Sequence, residues 1–439
     1  MFEAISAFRK GLIITIGNSG KYLVNTSWLA LERIFRMIVA LVVGIWVARY
    51  LGPEKFGLLN YAQSLVGLVG AIATLGLDSI VTRELVTEPD KRNEILGTAF
   101  ILKLAGWIFS IVILAGVVSA LGIDSYTQTI VLIVSFSVLL QSFNVIDLHF
   151  QSIVESKYVV FANFIASFVS SLVKIFLISI DASLEAFALT AVLDQLLIVL
   201  GLAYYFKKQK QYLFQWTFNK KLASAYLRMS WPLILSGISI SIGMRIDQVM
   251  IKSMIDDTHV GLYAVGVKLA EVFNFIPMII AQSFFPRVIE MDLKKERWKL
   301  ILMIRYIFYL LVLLALMVNA TSFFALDLLY GDAYISAEPV LDILIWTIPF
   351  TFLNIITNTI LLKIGDNPAV LVRQVSLTVI NVALNFILIP RYGIVGAACA
   401  TLIADLSLMF FEFFRSRHKW ILALRFKALL FIRKSRNEI

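Results

Sequence analysis

Long apolar stretches recur along the whole chain, and they constrain its fold more than any other feature does. Several run for more than about 18 residues, the length at which an apolar segment indicates a membrane-spanning helix. The 439 residues are 60% hydrophobic, whereas soluble domains are about half apolar. We therefore predict an all-α integral membrane protein with about twelve transmembrane helices.

The basic residues alternate between loops, and this distribution orients the predicted helices. The predicted inner loops, such as 78–95 and 207–229, are rich in lysine and arginine. The predicted outer loops contain only Lys55, Lys252 and Arg391. Because basic loops stay on the cytoplasmic side, we expect both termini to be cytoplasmic. The same distribution accounts for the net charge of +10, so we predict no nucleic-acid partner.

A weak internal repeat divides the predicted helices into two sets of six. With an offset of 204 residues, Gly57 falls on Gly261, and with an offset of 211 residues, Asp194 falls on Asp405. Chance similarity between apolar helices is the alternative explanation. An even number of helices in each half would give both halves the same orientation. Such a parallel repeat is a transporter design, in which the substrate path lies between the halves.

The repeat and the charge pattern together predict the domain organisation. We expect an N-terminal six-helix bundle over residues 1–206 and a cytoplasmic basic linker over residues 207–229. A C-terminal bundle with a basic cytoplasmic tail would then occupy residues 230–439. The predicted outer loops are short, so no large domain is inserted between the helices.

Ionised side chains inside the apolar stretches are the candidates for function. Each would cost roughly 2.5–3.5 kcal/mol if it faced lipid at the bilayer centre, so the deeper ones must face water, a partner or a polar cavity. Arginine suits phosphate because its planar fork donates two hydrogen bonds. The candidate substrate-binding residues are Arg33, Arg36, Lys174, Arg245 and Lys268. The candidate carriers of a coupling ion are Glu32, Asp247 and Glu271.

A structural role for the same charges is the alternative. Glu32 lies four residues before Arg36, and Lys268 lies three before Glu271. Such pairs could neutralise each other and only hold helices together. A second group of cations lies near helix ends, where we expect the side chains to extend to the membrane surface. This group comprises Arg49, Lys103 and Arg305.

Motifs for catalysis and metal binding are missing from the sequence. It has one cysteine, Cys399, and three histidines in different segments, which disfavours a metal site. It also has no GxxxxGK[ST], GxSxG or HExxH motif. We therefore expect no enzymatic activity, no catalytic residues, no bound metal and no cofactor.

Several segments resemble one known family. ALVVGIWVARYLGPEKFGLLNYAQSLVGLVGAIATLGLDSIVTREL (40–85) is similar to the opening hairpin of the polysaccharide-biosynthesis flippases. These are O-antigen-type members of the multidrug/oligosaccharidyl-lipid/polysaccharide exporter superfamily. LLYGDAYISAEPVLDIL (328–344), LLKIGDNPAVLVRQ (361–374) and NFILIPRYGIVGAACATLIAD (385–405) fit the same family. The resemblance covers nearly the whole chain, although none of these segments is a catalytic motif.

The resemblance implies two six-helix bundles, arranged as in MATE transporters, around a cationic path that opens to one side at a time. Members of the family move polyprenyl-diphosphate-linked oligosaccharide from the inner to the outer leaflet of the cytoplasmic membrane. Transport is often coupled to a proton or another ion such as sodium, and a polysaccharide polymerase is an expected partner. In the related lipid II flippases, arginines of the first helix are thought to meet the diphosphate. Arg33 and Arg36 match these arginines by location.

Three other functions compete with this interpretation. A multidrug or cation antiporter of the same superfamily would be favoured by an excess of acidic residues, but here the cations predominate. A transporter of the major facilitator fold would need a basic GxxxDRxGRR-like loop, and LGLDSIVTREL (75–85) stands in its place. A membrane glycan polymerase or acyltransferase would need a large outer loop or a buried catalytic histidine.

Overall fold

The computed structural model describes residues 2–293, 295–413 and 419–430, and within these ranges all regular secondary structure is helical. This confirms the predicted all-α class. Parts of the predicted basic tail, residues 414–418 and 431–439, lie outside the described residues. The helices are α1 (Phe2–Ala73), α2 (Asp78–Thr87), α3 (Arg92–Ala120), α4 (Ser125–Gln141), α5 (Val145–Ser152), α6 (Lys157–Ser179), α7 (Leu184–Lys208), α8 (Lys220–Met254), α9 (Asp257–Glu290), α10 (Arg297–Tyr330), α11 (Glu338–Leu344), α12 (Thr347–Lys363), α13 (Asn367–Ser407) and α14 (Lys419–Leu429).

Ten segments of the described chain are long and apolar enough to cross a membrane. A helix needs about 20 residues for one crossing, and two of these segments are far longer. Glu32–Thr87 has 56 residues, and Asn367–Phe413 has 47 residues. The protein is therefore a multi-pass membrane protein.

A glycine interrupts each of the two longest helices. Gly52 in α1 has φ 70° and ψ 169°, and Gly393 in α13 has φ 59° and ψ −140°. Glycine reaches positive φ readily because it has no Cβ. Pro53 follows the first break, and proline is well suited to the first turn of a helix. α1 and α13 therefore each consist of two helices joined at a bend.

Aspartate side chains cap the N-termini of two helices in the second half of the chain. Asp256 accepts a hydrogen bond from the backbone N–H of His259 (2.8 Å), and Asp366 accepts one from Ala369 (3.1 Å). Such caps satisfy amides that have no partner within the helix. Partial burial acts to raise the pKa of Asp256, but hydrogen bonds from the backbone and ring of His259 hold that pKa below its ordinary value.

The chain forms two compact units. Unit 1 comprises Met1–Tyr50 and Leu65–Gly237, and unit 2 comprises Leu51–Ser64 and Ile238–Ile439. The stretch directly after the Gly52 break therefore packs with the C-terminal half of the chain.

Unit 1 has a buried apolar core at one end of its helices. It is built by α2, α3, α5, α6, α7 and the start of α8, with side chains such as Leu96, Phe150, Phe206 and Tyr226. Lys103 of α3 lies at the edge of this region and is only 4% exposed. Its Nζ pairs with Asp78 Oδ1 at 2.7 Å. The prediction that Lys103 extends to the membrane surface stays a prediction, because its partner Asp78 is itself 60% exposed.

In unit 2, the C-terminal helix α14 docks on α10. Arg305 Nε donates to Ala428 O (3.0 Å), and Arg305 Nη2 donates to Lys427 O (2.6 Å). Tyr309 Oη donates to Leu429 O (2.6 Å). Arg305 is therefore buried against the carbonyl end of α14, where a cation is stabilised. The prediction that Arg305 extends to the membrane surface stays a prediction, and the structure adds that its guanidinium group ends on carbonyl groups of α14.

A buried ionic cluster holds α14 from its other side. Glu412 accepts hydrogen bonds from both Arg373 of α13 and Arg425 of α14, and all three side chains are buried. Arg373 Nη2 also donates to Asn354 Oδ1 at 3.0 Å. Each charge in the cluster has a partner of opposite sign, which is the condition for keeping ionised groups out of water.

These contacts predict that Arg305→Gln loosens α14. Hydrogen bonds from a charged donor contribute about 1.5–3 kcal/mol, so losing them should raise amide exchange in α14 by roughly tenfold or more. Hydrogen–deuterium exchange of the full-length protein measures this. Lys299→Gln removes an exposed cation from the same helix and should leave α14 unchanged. Equal exchange in both variants would contradict the assigned anchor.

Candidate substrate and ion sites

Two arginines and a glutamate of α1 form the first group of candidate residues. Glu32 is buried, and its Oε1 lies 3.1 Å from Arg36 Nε. Arg33 is exposed, and the Arg36 side chain remains 44% exposed in spite of the ion pair. Both arginines lie within the membrane-capable segment Glu32–Thr87. Since an ionised face turned to lipid is costly, these two guanidinium groups must meet water or an anionic ligand.

Lys174 of α6 is the third candidate in unit 1. It is half-buried and interacts electrostatically with Asp194 of α7. Asp194 also interacts with Arg36. Helices α1, α6 and α7 thus place Arg36 and Lys174 within electrostatic range of the same carboxylate, so these side chains form one charged region of unit 1.

The remaining cations, Arg245 and Lys268, lie in unit 2. Arg245 of α8 is exposed, and Lys268 of α9 is partly buried. Lys268 Nζ lies 4.3 Å from the centroid of the Phe56 ring, a cation–π contact. Glu271 is within electrostatic range of both cations, with Lys268 the stronger influence. The one-turn spacing of Lys268 and Glu271 therefore does place opposite charges in one region.

Asp247 lies in a separate polar cluster inside unit 2, in which the side chains that donate to it are neutral. This carboxylate accepts hydrogen bonds from Tyr263 Oη (2.7 Å), Thr401 Oγ1 (3.0 Å) and Asn385 Nδ2. Asn381 Nδ2 donates to Thr401 Oγ1 at 3.2 Å and closes the cluster. The donors come from α9 and α13, and Asp247 comes from α8.

The chemistry of this cluster suits a small cation. Carboxylate, amide and hydroxyl oxygens are the ligands of hard cations, and a carboxylate with neutral partners can also take a proton. None of the hydrogen bonds that the described residues donate to Asp247 comes from a lysine or an arginine. No group of three or more His, Cys, Asp or Glu residues that could hold a metal occurs in the described ranges.

The repeat predicted from the sequence aligns two residues of this cluster with residues of unit 1. With the offset of 211 residues, Lys174 corresponds to Asn385, and Thr190 corresponds to Thr401. Sequence reasoning missed Tyr263, Asn381 and Asn385. Two asparagines one turn apart in an apolar helix were the available signal.

The two repeat-related glycines meet inside unit 2. A Cβ on Gly57 would overlap the carbonyl oxygen of Asp257, and a Cβ on Gly261 would overlap the carbonyl oxygen of Pro53. The offset of 204 residues relates Pro53 to Asp257 and Gly57 to Gly261, so the two contacts are reciprocal. The helices cross at a local two-fold axis, and only glycine allows their backbones to approach so closely.

Solved structures with the same fold are transporters. A multidrug resistance MATE family transporter of the MOP superfamily, in an inward-facing conformation, matches with a TM-score of 0.68 at 16% identity, covering 91% of this chain and 99% of its own. The lipid II flippase MurJ, in an inward closed conformation, matches with a TM-score of 0.67 at 14% identity, covering 93% of this chain and 94% of its own. No curated protein sequence matches the chain.

The helical architecture therefore defines a multi-pass membrane protein with the fold of the MATE and MurJ transporters. A family model described as "Polysaccharide biosynthesis protein" matches residues 22–292, which is more than half of the chain. The chain belongs to this polysaccharide biosynthesis family. The resemblance noted in the sequence is thereby confirmed.

Proposed function

We propose that the protein is a flippase for polyprenyl-diphosphate-linked oligosaccharide, the repeat unit of an O-antigen or another surface polysaccharide. The observation that carries the proposal is the exposure of Arg33 and Arg36 within a membrane-capable helix. These arginines can bind a diphosphate through paired charge-assisted hydrogen bonds. Membership of a polysaccharide biosynthesis family supports an oligosaccharide as the cargo.

The proposed transporter crosses the cytoplasmic membrane about twelve times. A straight helix of 56 residues would measure about 84 Å, far more than the roughly 30 Å hydrocarbon core. We therefore count Glu32–Thr87 and Asn367–Phe413, which contain the Gly52 and Gly393 breaks, as two crossings each. Both termini would be cytoplasmic, with six-helix bundles over residues 1–206 and 230–439 and the linker over residues 207–229 between them.

Transport would proceed by alternating access, without a covalent intermediate. Arg33, Arg36 and Lys174 would bind the diphosphate or acidic sugars in unit 1, and Arg245 and Lys268 are the candidates for such binding in unit 2. Glu32 and Glu271 are paired with cations and could release them on protonation. A polysaccharide polymerase acting on the flipped product would be the partner.

The function is tested by depleting the protein in its native host and measuring lipid-linked glycan. Accumulation of polyprenyl-diphosphate oligosaccharide on the cytoplasmic side is the expected result. Unchanged lipid-linked glycan together with new sensitivity to cationic drugs would contradict it. That outcome would favour a multidrug antiporter, the second candidate, which the likeness to a multidrug resistance MATE transporter supports.

Asp247 is the strongest candidate for the ion-coupling residue, since its described hydrogen-bond donors are all neutral. We expect Asp247→Asn to lower transport by roughly tenfold or more, the scale of ordinary coupling free energies, and to remove its dependence on an imposed proton or sodium gradient. Proteoliposomes with each gradient in turn provide the measurement. Asp332→Asn, at an exposed carboxylate, is the control. Gradient-driven transport that is the same in both variants would exclude Asp247 as the coupling residue.

A further inference from the structure

The segment that joins α7 to α8 has an unusual composition. Residues 207–229 contain six cations and no acidic residue. All six cationic side chains are exposed. They are Lys207, Lys208, Lys210, Lys220, Lys221 and Arg228. We call residues 207–221, which contain five of them, the interfacial segment.

Aromatic side chains of the interfacial segment alternate between two directions. Trp216 points inward, with its ring 5.5 Å from Phe100 and 6.1 Å from Phe206. Phe214 and Phe218, two residues to either side, are 82% and 52% exposed. Two phenylalanine rings left in water do not gain the favourable transfer of apolar surface out of water, which is a substantial cost. An apolar environment outside the protein removes that cost.

Hydrogen bonds hold the interfacial segment against the start of α3. Thr217 N donates to Asn93 O (3.2 Å), and Asn219 N donates to Thr98 Oγ1 (3.0 Å). The backbone of Thr217 lies so close to Gly97 that a Cβ on this glycine would overlap it. These contacts fall within the first two turns of α3, about 9 Å along the helix at 1.5 Å per residue. The segment therefore lies against the first two turns of a membrane-capable helix.

We propose that the interfacial segment binds anionic phospholipid headgroups of the membrane leaflet on its own side. Outward phenylalanines surrounded by lysines are typical of surfaces that lie at the boundary of headgroups and acyl chains. Basic residues near an anionic leaflet are attracted to its negative surface potential. A protein partner is less well matched, because the segment is held against the first turns of a membrane-capable helix and carries charge of one sign.

The proposal is tested with full-length protein in nanodiscs of phosphatidylcholine alone or with phosphatidylglycerol added. Hydrogen–deuterium exchange of residues 209–219 provides the readout. We expect exchange to slow by roughly tenfold with phosphatidylglycerol, and the effect to shrink in high salt because screening weakens surface electrostatics. A variant with all five lysines of the interfacial segment replaced by glutamine should lose most of this protection. It carries Lys207→Gln, Lys208→Gln, Lys210→Gln, Lys220→Gln and Lys221→Gln.

A matched variant removes the same number of charges elsewhere, at exposed lysines. It carries Lys55→Gln, Lys91→Gln, Lys157→Gln, Lys295→Gln and Lys299→Gln. It should keep full protection of residues 209–219. Equal protection in both lipid mixtures, or an equal loss in both variants, overturns the proposal. So does protection by added undecaprenyl diphosphate but not by phosphatidylglycerol, which would identify the segment as a capture site for the cargo.

Discussion

Replacing Arg33 and Arg36 together with glutamine should abolish flipping while leaving membrane insertion normal. Each charge-assisted hydrogen bond to the diphosphate is worth about 1.5–3 kcal/mol, so losing both arginines should lower transport by roughly two orders of magnitude or more. Glutamine keeps much of the length of the side chain but cannot supply the charge. Transfer of lipid-linked oligosaccharide across proteoliposomes measures the effect.

Two control variants make this experiment specific. Arg83→Gln with Lys91→Gln removes the same charge from exposed sites of unit 1, where each cation already pairs with a neighbouring glutamate, and should transport normally. Arg33→Lys with Arg36→Lys keeps the charge but not the planar fork, and should retain partial activity. Full transport by the double glutamine variant would show that the arginines only stabilise the fold and would remove them from the proposed site.

Replacing Gly57 or Gly261, the two glycines at the helix crossing in unit 2, is the second change that should have a large effect on transport. A methyl group at Gly57 or Gly261 meets a backbone carbonyl rather than a movable side chain, so the helices must separate. Overpacking of this kind costs roughly 1–3 kcal/mol. We expect Gly57→Ala and Gly261→Ala each to widen the crossing and to lower transport by roughly tenfold, the scale of that cost.

A distance measurement tests the crossing directly. Spin labels at Lys55 and His259, with Cys399 replaced by alanine, lie on the two helices that meet there. We expect a longer label distance in Gly57→Ala and Gly261→Ala. Gly44→Ala is the control, because nothing lies within 4 Å of its Cβ position. An unchanged distance in the crossing variants would show that close approach is not required.

Much of the architecture could be predicted without coordinates. The all-α class, the multi-pass character and the polysaccharide biosynthesis family were each predicted, and each is confirmed. The pairing of Glu32 with Arg36 followed from their spacing on one helix. The environments of Lys103 and Arg305 could not be predicted, because their partners, Asp78 and the end of α14, lie 25 and more than 120 residues away in sequence.

The membrane-capable segments follow from the sequence, because the free energy of burying an apolar stretch depends on its own length and composition. The breaks in α1 and α13 are possible because Gly52 and Gly393 can adopt positive φ. Which helix faces meet is known only from the packing of the helices. In a membrane protein the faces turned to lipid and to neighbouring helices are both apolar, so periodicity does not distinguish them. The Asp247 cluster, built from residues up to 154 positions apart, therefore emerged only when α8, α9 and α13 were packed together.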